Sequence, residues 1–211
     1  MKMLLYCTKS KPYLIHESGC YDSDDMCCDY NCFSVVDRQE LYNQDISLNE
    51  TYNGKIVGEC DFEVEEIKKV NYDCMLFTNT LDTKKLITES CIDYFELEEY
   101  LKPNWDKEDD LQNLDTVGYA IHISNLNIFY TPKELSDYYS IIDMGGGMLG
   151  TKPLTKAPQN MMHISINLWE YCFYNPNDIN ILISINPEWL CKILNGEKTI
   201  EVRKKVLRRM I

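Results

Sequence analysis

The stretch Ile183-Ser184-Ile185-Asn186-Pro187-Glu188-Trp189, continued by Gly196-Glu197-Lys198-Thr199-Ile200-Glu201-Val202-Arg203-Lys204-Lys205, decides how this chain is read. Ile181 to Ile185 is an apolar run of the length of a buried strand. Asn186 suits a helix N-cap, and Pro187 suits the first helical position, where its missing N–H costs nothing. Trp189, Leu190, Ile193 and Leu194 then fall on one helical face. Gly196 supplies the left-handed residue that ends such a helix. Beyond it, Thr199 to Arg203 alternate as a strand does. The predicted unit is strand, short helix, glycine turn, strand. It gathers Lys198, Thr199, Glu201 and Arg203 beside the turn, where basic, acidic and hydroxyl groups converge.

Working outward, 211 residues with 45% hydrophobic content suit one globular domain with insertions. The formal charge of −13 is unevenly spread. From Gly196 to Ile211 six basic residues face two acidic ones, a net +4 that leaves −17 for the rest. A basic edge on an acidic body permits a local phosphate contact and argues against a broad nucleic-acid groove. Apolar runs fall short of the roughly 20 residues that span a bilayer, so no membrane association is expected. The N-terminal Met1 to Tyr6 is too short for a secretory signal, and the expected location is cytoplasmic.

In a reducing compartment the ten cysteines read as thiols. Cys7, Cys60, Cys74, Cys91, Cys172 and Cys191 sit in apolar or strand-like contexts, as small buried hydrophobes do. Cys20, Cys27, Cys28 and Cys32 crowd into a polar, acidic stretch and are the candidate metal ligands. Their spacing lacks the paired CxxC of structural zinc sites, so a surface insertion with free thiols, at about residues 16–50, is the expectation. No cofactor is expected.

Met3 to Thr8 reads as a strand, and the Asn53-Gly54 turn leads into a long strand from Lys55 to Ile67. In that strand Ile56, Gly58, Cys60, Phe62, Val64 and Glu66 share the parity expected to face the core, and Val57, Glu59, Asp61, Glu63, Glu65 and Ile67 the mostly acidic one expected to face the water or a pocket mouth. Residues 83 to 102 read as two helical pieces ended by Pro103. Tyr119 to Phe129 alternates as a strand that Pro132 stops, and Met161 to Leu168 returns to strand character. Residues 143–158, with four glycines and two prolines, read as a flexible connector, since Gly145-Gly146-Gly147 lacks the Lys-Ser/Thr of a phosphate loop. The expected fold is α+β: a small β-barrel of about five or six strands, with short helices and long insertions, in one domain over residues 1–211.

The motif Ile183-Ser184-Ile185, Pro187-Glu188, Gly196, Lys198-Thr199, Glu201 and Arg203 resembles the signature of ASCH domains in the PUA-like superfamily. Leu4 to Thr8, Gly54 to Glu59, Gly118 to Ile123, and Phe129, Pro132 and Pro158-Gln159 resemble further pieces of that family, over roughly half the chain. The signature stands last here and first in typical members, so the resemblance is to a circularly permuted ASCH domain. It implies a PUA-like barrel with a cleft for RNA or a modified nucleotide. In hydrolase-like members a lysine acts as base and a threonine three positions later as nucleophile. Lys198 matches the lysine, and Glu201 stands at the threonine's position.

Three functions follow as expectations. The first is a nucleic-acid or modified-nucleotide binding module, with Lys198, Thr199, Glu201, Arg203 and Glu59 as ligand-binding residues. The second is a small hydrolase of a modified nucleoside with Lys198 and Glu201 as catalytic residues, to which Glu59 would add a carboxylate. The third is an acidic protein-interaction or inhibitor protein of a mobile element, whose carboxylates would occupy a basic partner. A surface pairing of Glu201 with Arg203 is the structural alternative. Trp189 reads as core more readily than as a base-stacking platform. The basic tail Lys204-Lys205 and Arg208-Arg209 divides evenly between phosphate contact and a solvated end.

Overall fold

A computed structural model describes residues 1–9, 52–69, 76–77, 83–101, 116–169 and 179–207. The cysteine-rich insertion with Cys20, Cys27, Cys28 and Cys32, and the tail residues Arg208 and Arg209, lie outside the described residues. The fold is α+β. Its strands are β1 (Met3–Cys7), β2 (Ile56–Lys69), β3 (Leu76–Phe77), β4 (Thr116–Lys133), β5 (Tyr139–Gly145), β6 (Met148–Pro153), β7 (Met161–Ser165), β8 (Ile179–Ile185) and β9 (Ile200–Arg203). Its helices are α1 (Thr83–Ser90), α2 (Tyr94–Leu101) and α3 (Pro187–Leu194), with one 3₁₀ turn at Leu135–Asp137.

All nine strands form one mixed sheet in the order β6-β5-β7-β8-β1-β2-β4-β9, with β3 paired to β2 at the side. Among the described residues the end strands β6 and β9 do not pair, so the path does not close, and the small barrel of five or six strands expected from the sequence is not established by it. The expected count missed the β5–β6 hairpin. Residues 143–158, expected to be a loose connector, form most of that hairpin, with Asp143 opposite Leu149 and Ile141 opposite Thr151. Gly145, Gly146 and Gly147 turn it with φ of +87°, +63° and +80°, a run of left-handed residues that only glycine adopts without strain.

The N-terminal strand and β8, far apart in sequence, meet at the centre. β1 runs parallel to β8, Met3 beside Ile181 through Cys7 beside Ile185. Every residue of both strands is buried, as a continuous apolar run predicts for strands covered on both faces. On one face Met3, Leu5, Cys7, Ile181, Ile183 and Ile185 pack with Val57, Cys60, Ile121 and the Leu190 and Ile193 face of α3. On the other, Leu4, Tyr6 and Leu182 pack with Ile56, Tyr138, Leu154 and Ile164. A third cluster joins Ile200 and Val202 of β9 to Ala120, Ile67 and the inner faces of α1 and α2 through Leu86, Leu97 and Leu101. Each such side chain taken fully from water contributes about 1.5–3 kcal/mol before entropy is charged.

The β2 alternation departs from expectation near both ends, and at the far one Ile67, of the set expected to face water, is buried in the third cluster. Cys60, Phe62 and Val64 face the first core as expected, but Val57 joins them and Ile56 turns to the opposite cluster. A bulge is the cause: Leu5 pairs with Gly58 and Tyr6 with Ile56, so Val57 is the extra residue and the parity flips there. β4 likewise continues through Pro132 to Lys133 rather than stopping before it. Asn186 holds the N-cap position of α3 with extended backbone but makes no side-chain cap. Its Oδ1 instead accepts a hydrogen bond from Thr8 Oγ1 at 3.1 Å, tying the ends of β1 and β8 together.

Candidate functional site

β9 is short, and its alternation sorts the motif. Ile200 and Val202 turn into the helix-covered core. Glu201, opposite Ile121, and Arg203, opposite Tyr119, therefore turn to the other face of β4. Gly196, at φ +76°, reverses the chain after α3. The amides of Glu197 and Lys198 then both reach back to the Lys192 carbonyl. That turn drops the Lys198 side chain inward, where the residue is 2% exposed.

The buried groups form a chain. Lys198 Nζ donates to the Ser90 carbonyl at the C-terminal end of α1, lies 3.5 Å from Glu201 Oε2 and sits 4.9 Å from the centre of the Trp189 ring. Glu201 Oε1 is 2.8 Å from Arg203 Nη2, and the same nitrogen donates to the Ser184 carbonyl of β8 at 2.8 Å. The guanidinium thus joins β9 to β8, which the backbone ladder leaves unpaired. Burial strips water from the Lys198 ammonium and pushes its pKa down, against the pull of Glu201 in the opposite direction. Three ionised groups so placed pay a desolvation cost that only mutual pairing offsets. This is not the exposed surface pair of the structural alternative.

The chain floors a cleft of about 590 Å³. Trp189 lies on its wall and also packs against the first core. Lys192 approaches the same ring at 4.6 Å, which occupies part of its surface with a cation. One rim is helical: Glu96, Glu99 and Tyr100 project from α2 at the i, i+3, i+4 spacing of a single face. The opposite rim is neutral and polar, with Thr8, Asn186, Ser184 and Gln159. Lys204 stands over the Tyr100 ring at 5.1 Å, bringing the start of the basic tail to this rim.

Of the residues expected at the site, Lys198, Glu201 and Arg203 are brought together and two are not. Thr199 is exposed just before β9, where its hydroxyl donates to Glu89 Oε2 at 3.2 Å, and it is not among the residues lining the cleft. Glu59 pairs in register with Leu4, on the face of the sheet opposite the first core. Its carboxylate accepts from Asn127 Nδ2 at 3.4 Å, and it is not among the residues lining the cleft. The α2 rim went unread because Glu96, Glu99 and Tyr100 look like a solvated helix face. Their shared spacing was the available signal. Among the described residues no cluster of His, Cys, Asp or Glu is arranged to hold a metal. No helix among them is long and apolar enough to cross a membrane. No protein-family model, no curated protein and no solved structure matches this chain.

Proposed function

We propose that this cleft binds a planar, hydrogen-bonding ring, the base of an RNA nucleotide or a modified nucleotide, on a permuted ASCH/PUA-like module. The observation that carries the reading is the buried Lys198–Glu201–Arg203 chain at the floor of an open cleft. A structural salt bridge is cheaper at the surface, and burying three charges beside a solvent-filled opening costs stability that binding can repay. The remaining donors of Arg203 suit carbonyl or ring-nitrogen acceptors, and its Nε–H is buried with no partner among the described residues. Asn186 and Gln159 add amides that donate and accept, and Tyr100 adds an exposed ring for stacking. The volume suits a ligand of nucleoside size.

Hydrolysis is the weaker reading. Lys198 is nearly sealed from solvent and already donates to Ser90, and Thr199, the hydroxyl of the motif, is bonded to Glu89 and does not line the cleft. The test is thermal unfolding against nucleosides, nucleotides and short RNA, with Tyr100→Ala and Gln159→Ala as rim variants that spare the floor. A bound ligand raises the melting temperature with its concentration, and both variants are expected to weaken that response. A flat response across the panel would refute the reading and favour the acidic interaction protein.

A further inference from the structure

A second cleft of about 600 Å³ lies on the other side of β1, where Leu135, Leu154 and Ala157 form an apolar lining edged by lysines and hydroxyls. Tyr6 forms part of it although the residue is only 5% exposed. Tyr6 belongs to the outer core cluster. Burial raises its pKa, so it remains an O–H donor throughout the neutral range. Lys9 and Lys156 line the same cleft, and among the described residues neither forms an ion pair. Ser136 and Thr155 add two exposed hydroxyls. The one carboxylate in the lining, Glu134, is matched by Lys55 at 3.2 Å. The local balance is positive on a chain of net charge −13, so this opening concentrates anions where the molecule as a whole repels them.

The lysine is also held in place. The stem of Lys9 lies across Gly54, where an added Cβ would meet Lys9 Cε at 2.6 Å. Gly54 itself takes φ +75° and its amide donates to the Cys7 carbonyl at 3.0 Å. The bare glycine therefore makes the groove along which Lys9 runs.

We propose that this second cleft is a phosphate-binding site. Compact ammonium groups and hydroxyl donors without bidentate arginine suit a tetrahedral oxyanion approached from several sides. Its position adds a source. Thr8 lines the first cleft and Lys9 the second, with about 3.8 Å between consecutive Cα atoms. Gln159 of the first cleft likewise follows Lys156 and Ala157 of the second. The two openings therefore lie on opposite sides of the Thr8–Lys9 segment that follows β1. If a base sits in the first cleft, as proposed above, a phosphate carried by the same ligand is one source for this site and free phosphate is the other.

The experiment titrates the full chain with inorganic phosphate against chloride at matched ionic strength, then with a nucleoside and its 5′-monophosphate. The variants are Lys9→Ala/Lys156→Ala and the milder Tyr6→Phe. The expected result is a phosphate-specific rise in melting temperature that the double variant abolishes and Tyr6→Phe weakens. Loss of charged contacts of this kind should lower phosphate affinity by about tenfold or more. A response no greater than that to chloride, or one retained in the double variant, overturns the site. A 5′-monophosphate that binds more tightly than its nucleoside, with the advantage erased in the double variant, identifies the phosphate as part of the ligand of the first cleft. Phosphate binding with no nucleoside response in any form would sink the base-pocket reading and leave a site for free phosphate. The Tyr100→Ala control separates the two, since it bears on the base and not on the phosphate.

Discussion

Lys198 carries more of this structure than any other charged residue described. Its ammonium caps the last carbonyls of α1, pairs with Glu201 and faces Trp189, a favourable place for a cation at a helix C-terminus. Lys198→Met should therefore destabilise the fold by about 3 kcal/mol, because it leaves the Ser90 carbonyl and half of a buried carboxylate unanswered. Urea unfolding would measure it, and a loss under about 0.5 kcal/mol would mean the lysine is held for a ligand and not for the fold. The pH dependence separates two buried groups of opposite sign. The Lys198 pKa is depressed from 10.5, so the unfolded chain binds the proton more tightly and stability rises as pH climbs from the folded value towards 10.5. Burial pushes the Cys60 thiol from 9.0 up to about 12. Above 9.0 the unfolded chain loses that proton first, and stability falls as pH rises towards about 12. Cys60→Ala should flatten this alkaline decline in urea unfolding at a series of pH values. An unchanged slope would mean the thiol is not shielded.

At the scale of elements, close approach decides what the sequence tolerates. Gly58 lies where β2 bulges against β4, and a Cβ there would stand 2.7 Å from the Asn127 carbonyl oxygen, a backbone atom that cannot turn aside. Gly118 faces α2, and a Cβ there would meet Leu101 Cδ2 at 2.4 Å, the mobile end of a side chain, with the Arg203 carbonyl next at 3.2 Å. Gly58→Ala is therefore expected to cost more than Gly118→Ala, by roughly 1–2 kcal/mol in denaturant unfolding. Equal losses would show that β2 and β4 separate easily. Gly118→Ala has a second expected effect, because displacing Leu101 moves α2 and with it the Glu96, Glu99 and Tyr100 rim. Its ligand response should weaken even where stability is nearly kept.

For the whole molecule, the topology places the sequence ends side by side. The amide of Lys2 donates to Asn180 Oδ1 at 2.9 Å across 178 positions, and Arg203 reaches Ser184 from a strand that pairs only with β4. A chain cut after Asn195 would lose Ile200 and Val202 from the third core and the whole floor of the first cleft. It should lack cooperative thermal unfolding, and a synthetic 196–211 peptide should restore the transition. Full cooperativity without that segment would show that β9 is an appendage. Such distant pairing also predicts slow folding for the size of the chain, since loop closure must precede its reward.

The local physics of the sequence was enough for β1, β8, the two pieces of helix before Leu101 and the strand-helix-turn-strand of the C-terminus. Those segments bury one face or both, and burial writes a period into the residues. The same stretch placed Lys198, Glu201 and Arg203 together, because neighbours along a turn and strand stay neighbours in space. Tertiary structure alone decided the rest. The Val57 bulge reversed Ile56, the triple glycine proved to be a hairpin turn, and strand register set Glu59 on the far side of the sheet. The α2 rim faces Thr8 and Ser184 across more than 80 positions of sequence, and the second cleft joins Lys9 to Lys156 across 147. Such groupings leave no periodic trace, since an exposed charge reads the same whether it faces open water or a cleft.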